Sequence, residues 1–323
     1  MELQDAASYY LALAERTLLE PLGLPLTDWY GRIEREYAGI AVVLDRSART
    51  ARREEAELGL RLAAALVPFW LANGRIDEGR AWLSRLLGRP LLATPTQARA
   101  AALDQASRLV FWAAQTPEEL TSAIPFAEAG LAIRQALGER GTAHAIGGEF
   151  QSLLHVGVLA WYARGGHMTA RRLFEQALRL AQDLGNRRAE AYARSQLGQL
   201  ALDTGDADGA LAHLAASLGW LRTFDDRPAV GGVLFGIAGV AAARDEPDLA
   251  LRLVGAGAAM VEPLGPSAPL ARAMLARFLT PAYRRVNAVD QSTRWAEGHA
   301  LGYEQAMRMA TQALAWLAGK DGG

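Results

Sequence analysis

Five histidines, His144, His155, His167, His213 and His299, are the side chains best suited to proton or metal chemistry near neutral pH. Their spacing supports neither role directly. No H-E-x-x-H run and no His-x3-His pair occurs, so the helical zinc spacing is missing. His155 precedes the adjacent aromatics Trp161-Tyr162 and is expected on the surface of a helix or hydrogen-bonded within a core. Cysteine is absent, which removes thiolate nucleophiles, disulfides and cysteine–zinc sites together. The single lysine, Lys320, is followed by Asp321, so the chain has neither a G-x-x-x-x-G-K-[ST] phosphate loop nor an internal Schiff-base lysine. Carboxylates come in pairs at Glu118-Glu119, Asp203 with Asp206, and Asp225-Asp226. Helical toroid glycosidases use such acids, but a general acid needs an apolar pocket. These acids are expected at helix caps and turns, where the positive helix start favours them. Gly147-Gly148-Glu149-Phe150 spells a diguanylate cyclase signature, yet it lies in a stretch of helical pattern without strands, so no cyclase activity is expected from it.

Composition narrows the classes further. The 323 residues are 51% hydrophobic and 21% charged, a globular balance, and the formal net charge is −1. Without a basic field, direct contact with nucleic acid or with a membrane surface is not expected. Arg46, Arg49, Arg52 and Arg53 cluster, but Glu54, Glu55 and Glu57 follow at once and compensate them. The N-terminus carries no basic segment followed by an apolar one, so no signal peptide is read, and a cytoplasmic location is expected. The most apolar run, 229–243, is too short to span a bilayer and is expected to be a buried helix, in which Gly232 and Gly236 admit a neighbour.

The elements that position these residues read as helices throughout. Apolar and alanine residues recur at three- and four-residue spacing, and alternating strand patterns are missing. Thr94-Pro95 and Thr116-Pro117 read as helix starts, and Asp245 and Ser267 as further caps. Gly74, Gly88, Gly138, Gly165, Gly185 and Gly205 read as stops. Gly157, Gly198 and Gly239 recur at 41 residues, as do Ala160, Ala201 and Ala242, while Phe174, Leu214 and Val254 recur at 40. A small residue on a first helix and a larger one on its partner thus repeat with one period, longer than the ~34 residues of the tetratricopeptide (TPR) repeat. Earlier pairs are expected over 54–87, with a turn at Asn73-Gly74, and over 97–137, with a turn near Gln115-Thr116. The expected fold is all-α, a right-handed superhelix of TPR-like antiparallel helix pairs (an α-solenoid). N-terminal helices over 1–50 would pack on repeats over 51–264, and two helices, 267–287 and 295–318, within a tail over 265–323 would cap the array as one continuous solenoid. The soft points are Pro21–Pro25, Gly138–Thr142 and Pro263–Pro269.

Several segments resemble one bacterial family. They are Ser8-Tyr9-Tyr10-Leu11-Ala12-Leu13-Ala14-Glu15, Trp29-x-x-Arg32-Ile33-Glu34-Arg35-Glu36, and Gly59 to Leu66. Phe69-Trp70, Gly74, Gly79-Arg80-x-Trp82-Leu83 and the late Trp295-Ala296-Glu297-Gly298-x-Ala300-Leu301 continue the pattern. Together they are similar to the C-terminal TPR-like region of signal-transducing ATPases coupled to a LuxR-type DNA-binding domain, with the maltose-regulon activator a distant relative. Relatives often carry Asp-Asn where this chain has Ala38-Gly39. The ATPase and DNA-reading motifs have no counterpart positions here. What the resemblance implies is a non-catalytic interaction or sensor domain of a transcriptional regulator. Its partner would be a protein, a peptide or a small-molecule inducer, with no cofactor of its own. A free-standing TPR scaffold and a helical-toroid carbohydrate-active enzyme are the alternative readings.

The aromatics Trp70, Trp82, Phe111, Trp112, Phe126, Trp161, Phe174 and Trp220 are expected in the core. Adjacent helical residues point about 100° apart, so one of Trp161-Tyr162 must leave the core face. With Gly157 and Gly198 as register marks, a concave binding face would carry Gln151, Trp161, Tyr162, Tyr192, Ser195, Gln199 and Asp203.

Overall fold

The structure, a computed structural model, describes residues 3–19, 26–138, 148–264 and 267–319. Among these it contains α-helices and short 3-10 turns and no β-strand, as the sequence pattern predicts. The chain divides into two compact units, Met1–Glu139 and Arg140–Gly323, at the soft point read from Gly138–Thr142. Residues 21–25 of the first soft point, and 139–142 of the second, lie outside the described residues, as do 265 and 266 of the third.

The first unit holds α1 (Leu3–Leu19), α2 (Leu26–Arg49), α3 (Arg53–Ala65), α4 (Val67–Ala72), α5 (Ile76–Leu87), α6 (Gln97–Ala113) and α7 (Ile124–Leu137). Pro68 lacks the N–H that would continue α3, and the chain restarts there as α4. Trp70 and Phe69 are wholly buried. The Trp70 indole donates to the Tyr37 hydroxyl at 2.7 Å, and that hydroxyl donates to Glu78 Oε1 at 2.7 Å. Burial pushes the Tyr37 phenol well up, and the Glu78 carboxylate beside it adds to the rise. The Arg75 guanidinium lies 4.7 Å from the Tyr37 ring centroid and bonds Glu34 at 2.6 Å. Ile33, Leu60, Phe69, Trp70 and Leu83 of the N-terminal motifs belong to this core. At Gly39 of α2 a Cβ would collide with the Tyr10 hydroxyl of α1.

The second unit holds three successive helix pairs and a tail. The pairs are α8 (Gly148–Arg164) with α9 (His167–Asp183), α10 (Arg187–Asp203) with α11 (Ala207–Leu221), and α12 (Arg227–Ala243) with α13 (Pro247–Val261). Their second helices begin at 167, 207 and 247, so the forty-residue period holds at the level of whole elements. Capping follows the same period: Asn186 and Asp226, forty apart, each accept a backbone N–H three residues on. The expected glycine contacts hold in two pairs. A Cβ on Gly157 would come within 2.5 Å of the Phe174 ring, and one on Gly198 within 2.8 Å of Leu214. The third pair departs. Gly239 meets Leu202 and Phe278 rather than Val254, and the closest approach of α12 to α13 moves to Gly231 and Gly257. α12 is buried on nearly all sides, and no helix among the described residues is long and apolar enough to cross a membrane.

Several local readings need correction. The cap of α6 is Thr96, which accepts from Arg99 N, and Thr94 lies ahead of the helix. Thr116-Pro117 opens a 3-10 turn over Glu118–Ser122 before α7 begins. Asp245 has a left-handed φ of 60° and precedes the cap of α13, Glu246. Ser267 yields to Ala268 as the cap residue of the next helix, α14 (Pro269–Arg285). Stops at Gly74, Gly138, Gly165, Gly185 and Gly205 all have positive φ, between 57° and 81°, as left-handed helix ends require. Gly88 ends its helix with φ −71°, and Pro90 follows it. The last predicted helix is two, α15 (Ala288–His299) and α16 (Tyr303–Ala318), because Asn287 caps a helix earlier than the pattern indicated. Of the expected core aromatics, Trp70, Trp161 and Phe174 reach full burial; Trp82, Phe111, Trp112, Phe126 and Trp220 are half-buried.

Candidate functional site

α14 packs against α12 and α13. Met274 and Phe278 of α14 pack on a cluster formed by Trp161, Phe174, Leu197 and Leu200. Leu270, Met274, Phe278 and Ala282 recur every four residues, which is the stripe that lets α14 dock.

A buried carboxylate ties α14 down. Asp203, the last residue of α10, has a side chain only 7% exposed. It accepts from the Trp161 indole at 2.7 Å, pairs with His167 Nε2 at 2.9 Å and forms an ion pair with Arg277 of α14. One acid thus gathers donors from α8, α9 and α14. Asp206, Asp225 and Asp226 behave as the sequence pattern predicts, at caps and turns. Asp203 does not, because its carboxylate turns inward to these partners.

Beside this latch lies a cavity of about 450 Å³. At the α8–α10 side it is lined by Tyr162 and Gln199. Phe235 and Gly236 of α12, with Val254, Ala258 and Val261 of α13, form one wall. Met274, Leu275 and Phe278 of α14 form the opposing part. Glu262, Ser267, Ala271, Arg272, Trp295 and His299 complete the lining. His299 stacks on Trp295 with ring centroids 4.6 Å apart, and its Nε2 lies 3.1 Å from Glu262 Oε2. Burial pushes the Tyr162 phenol up to about 12, against the opposing pull of the nearby Arg277. That hydroxyl is therefore neutral across the physiological range and serves as a donor or acceptor, not as a base.

The seven residues placed on a binding face from sequence register do not stay together. Tyr162 and Gln199 line the cavity, while Trp161 and Asp203 form the latch behind it. Ser195 is buried and accepts a long hydrogen bond, 3.4 Å, from Gln199 Nε2. Tyr192 stands apart: its hydroxyl donates to Asp226 Oδ2 at 2.9 Å, beside the Arg188–Asp226 ion pair at 2.6 Å. Burial and then the Asp226 charge raise the Tyr192 phenol strongly. Asp226 is fully buried there and also caps α12, so this trio fastens α10 to α12. Gln151 is solvent-exposed and is not among the side chains lining the cavity.

Sequence register missed the contributions of α14 and α15, since no repeat period relates the tail to the pairs, and that of α13, since the register followed only the first helices of the pairs. The Trp295–His299 pair, four apart on a helix, was the one local signal available. Glu149 and Phe150 sit in the first turn of α8, with Phe150 buried, so the four-residue cyclase signature has no hairpin to act from; Gly147 lies outside the described residues. His155 is half-buried on α8. No group of three or more metal-ligating side chains occurs among the described residues.

No protein-family model matches this sequence, and the curated proteins contain no match to it.

Proposed function

We propose that this chain is a TPR-like sensor domain of a bacterial transcriptional regulator, binding a small-molecule inducer between its repeat helices and α14. The observation that carries this reading is the cavity of about 450 Å³, which falls in the ~300–1,000 Å³ range of small-molecule sites. Its lining fits binding: an apolar body, a few convergent polar groups and a hydroxyl held neutral. The forty-residue pairing supports reading the second unit as part of a right-handed superhelix, a scaffold that transmits strain between neighbours. The resemblance of segments along most of the chain to the TPR-like region of signal-transducing ATPases supports a regulator acting in the cytoplasm, with the ligand state passed on to an adjoining module.

Of the partner classes expected from sequence, the inducer is favoured over a peptide. The part of the expected peptide face at Trp161 and Asp203 is already engaged by Met274, Phe278 and Arg277 of α14. Native mass spectrometry of the chain purified from cells that express it naturally tests this. A bound small molecule of defined mass, lost in an Ala258→Trp variant, supports it. A bare polypeptide mass for the wild-type chain contradicts it.

A further inference from the structure

We infer that the cavity under α14 selects an electrically neutral, mainly apolar molecule of acyl or aryl type, carrying one hydrogen-bonding group that Tyr162 and Gln199 read. This names the ligand class of the site proposed above and rests on that proposal. Four observations converge on it.

Phe235, Val254, Ala258, Val261, Met274 and Phe278 form a continuous apolar wall, so the bulk of any occupant must be apolar. The charges around the cavity are internally balanced. On the α8–α10 side, Arg277 is committed to Asp203, whose carboxylate is itself enclosed. On the α13–α15 side, Glu262 bonds His299 and the exposed Arg272 donates to the Ser267 carbonyl, so the one lining acid and the one lining arginine cancel in sum. A ligand charge set against the apolar wall would lose hydration, and that loss is large in an apolar setting. The polar groups at the α8–α10 side, the Tyr162 phenol and the Gln199 amide, are both neutral. Gln199 also holds only the 3.4 Å bond to Ser195 Oγ. Its amide is therefore free to exchange that contact for a shorter one to a hydroxyl, carbonyl or amide of the ligand.

The test uses N-phenyl-1-naphthylamine, a neutral two-ring fluorophore, with the full chain. Its emission should rise saturably, and 1-decanol should displace it at a concentration at least tenfold below decanoate or decyltrimethylammonium. Ala258→Trp and Ala271→Trp, on opposite walls, should each abolish the signal, whereas the exposed Val289→Ser should leave it unchanged. Gln199→Leu should keep the fluorophore bound and weaken displacement by decanol about five- to tenfold. Circular dichroism melts identify any variant that fails to fold, and the second wall variant then carries the result. Equal or better displacement by decanoate overturns the neutral-ligand inference and leaves the inducer reading standing. Absence of saturable binding by a folded wild-type chain also overturns the inference; native mass spectrometry then separately decides the inducer reading.

Discussion

Asp203 is the residue on which the second unit's polar organisation turns. Its carboxylate receives the Trp161 indole, His167 and Arg277, from three different helices. Asp203→Asn keeps the shape but removes the charge and one acceptor, so a loss of about 1–3 kcal/mol is expected in urea unfolding. The loss should be absent when Arg277→Met is already in place for the share carried by that pair, a double-mutant cycle that isolates it. Two further groups give the chain a defined acid response. Burial lowers the His213 imidazole below its usual value, Arg194 and Arg171 push it further down, and Asp206 and Glu175 oppose them. A depressed base is neutral in the fold, so its contribution is complete above the unfolded value of about 6.5 and is lost as pH falls through the folded one. Glu190 behaves alike for a different reason. Burial raises its carboxyl, but hydrogen bonds from Arg187 and Arg194 outweigh this and hold it below the usual range. Its contribution is present above about pH 4.5 and is lost as pH falls below that. His213→Gln should therefore flatten the stability profile just below pH 6.5 and leave the lower acid limb, where Glu190 protonates, in place; melts from pH 8 to 2 read both.

At the scale of elements, the repeat depends on small residues at fixed positions. Gly198→Val would force a branched side chain to within 2.8 Å of Leu214, where overpacking costs about 1–3 kcal/mol. Combining it with Leu214→Ala should recover part of the loss, and thermal unfolding of the pair of variants measures the recovery. The helices, the glycine stops and the forty-residue period were legible in the sequence because each has a local cause: periodic apolar residues, positive φ and matched spacing. The third glycine was not, because Phe278 of α14 occupies the space beside Gly239 and the close approach shifts to Gly231 and Gly257. Tyr162 and Gln199 were legible as neighbours through the same register. Their partners Met274, Phe278, Trp295 and His299 were not, since a tail outside the repeat carries no period that says which face it covers. Trp161 and Tyr192 have the composition of a binding face, but their polar atoms are already engaged by Asp203 and Asp226.

At the scale of the whole molecule, the chain is two compact units, each with its own apolar core. The repeat pairs, the latch and the cavity all belong to the second, so a fragment spanning 140–323 should unfold cooperatively and bind N-phenyl-1-naphthylamine with the affinity of the full chain. Fluorescence titration of the fragment checks this; a several-fold weaker affinity would give the first unit a part in the site. The central claim is that a ligand enters between α12–α13 and α14, and the methionines offer a direct reporter. Of the chain's six methionines, Met274 lines the cavity, while Met168 is exposed and Met307 is buried away from its lining. With methyl-labelled methionine and increasing N-phenyl-1-naphthylamine, the Met274 resonance should move saturably while those of Met168 and Met307 stay in place. A stationary Met274 signal in the presence of saturating fluorophore would contradict the account.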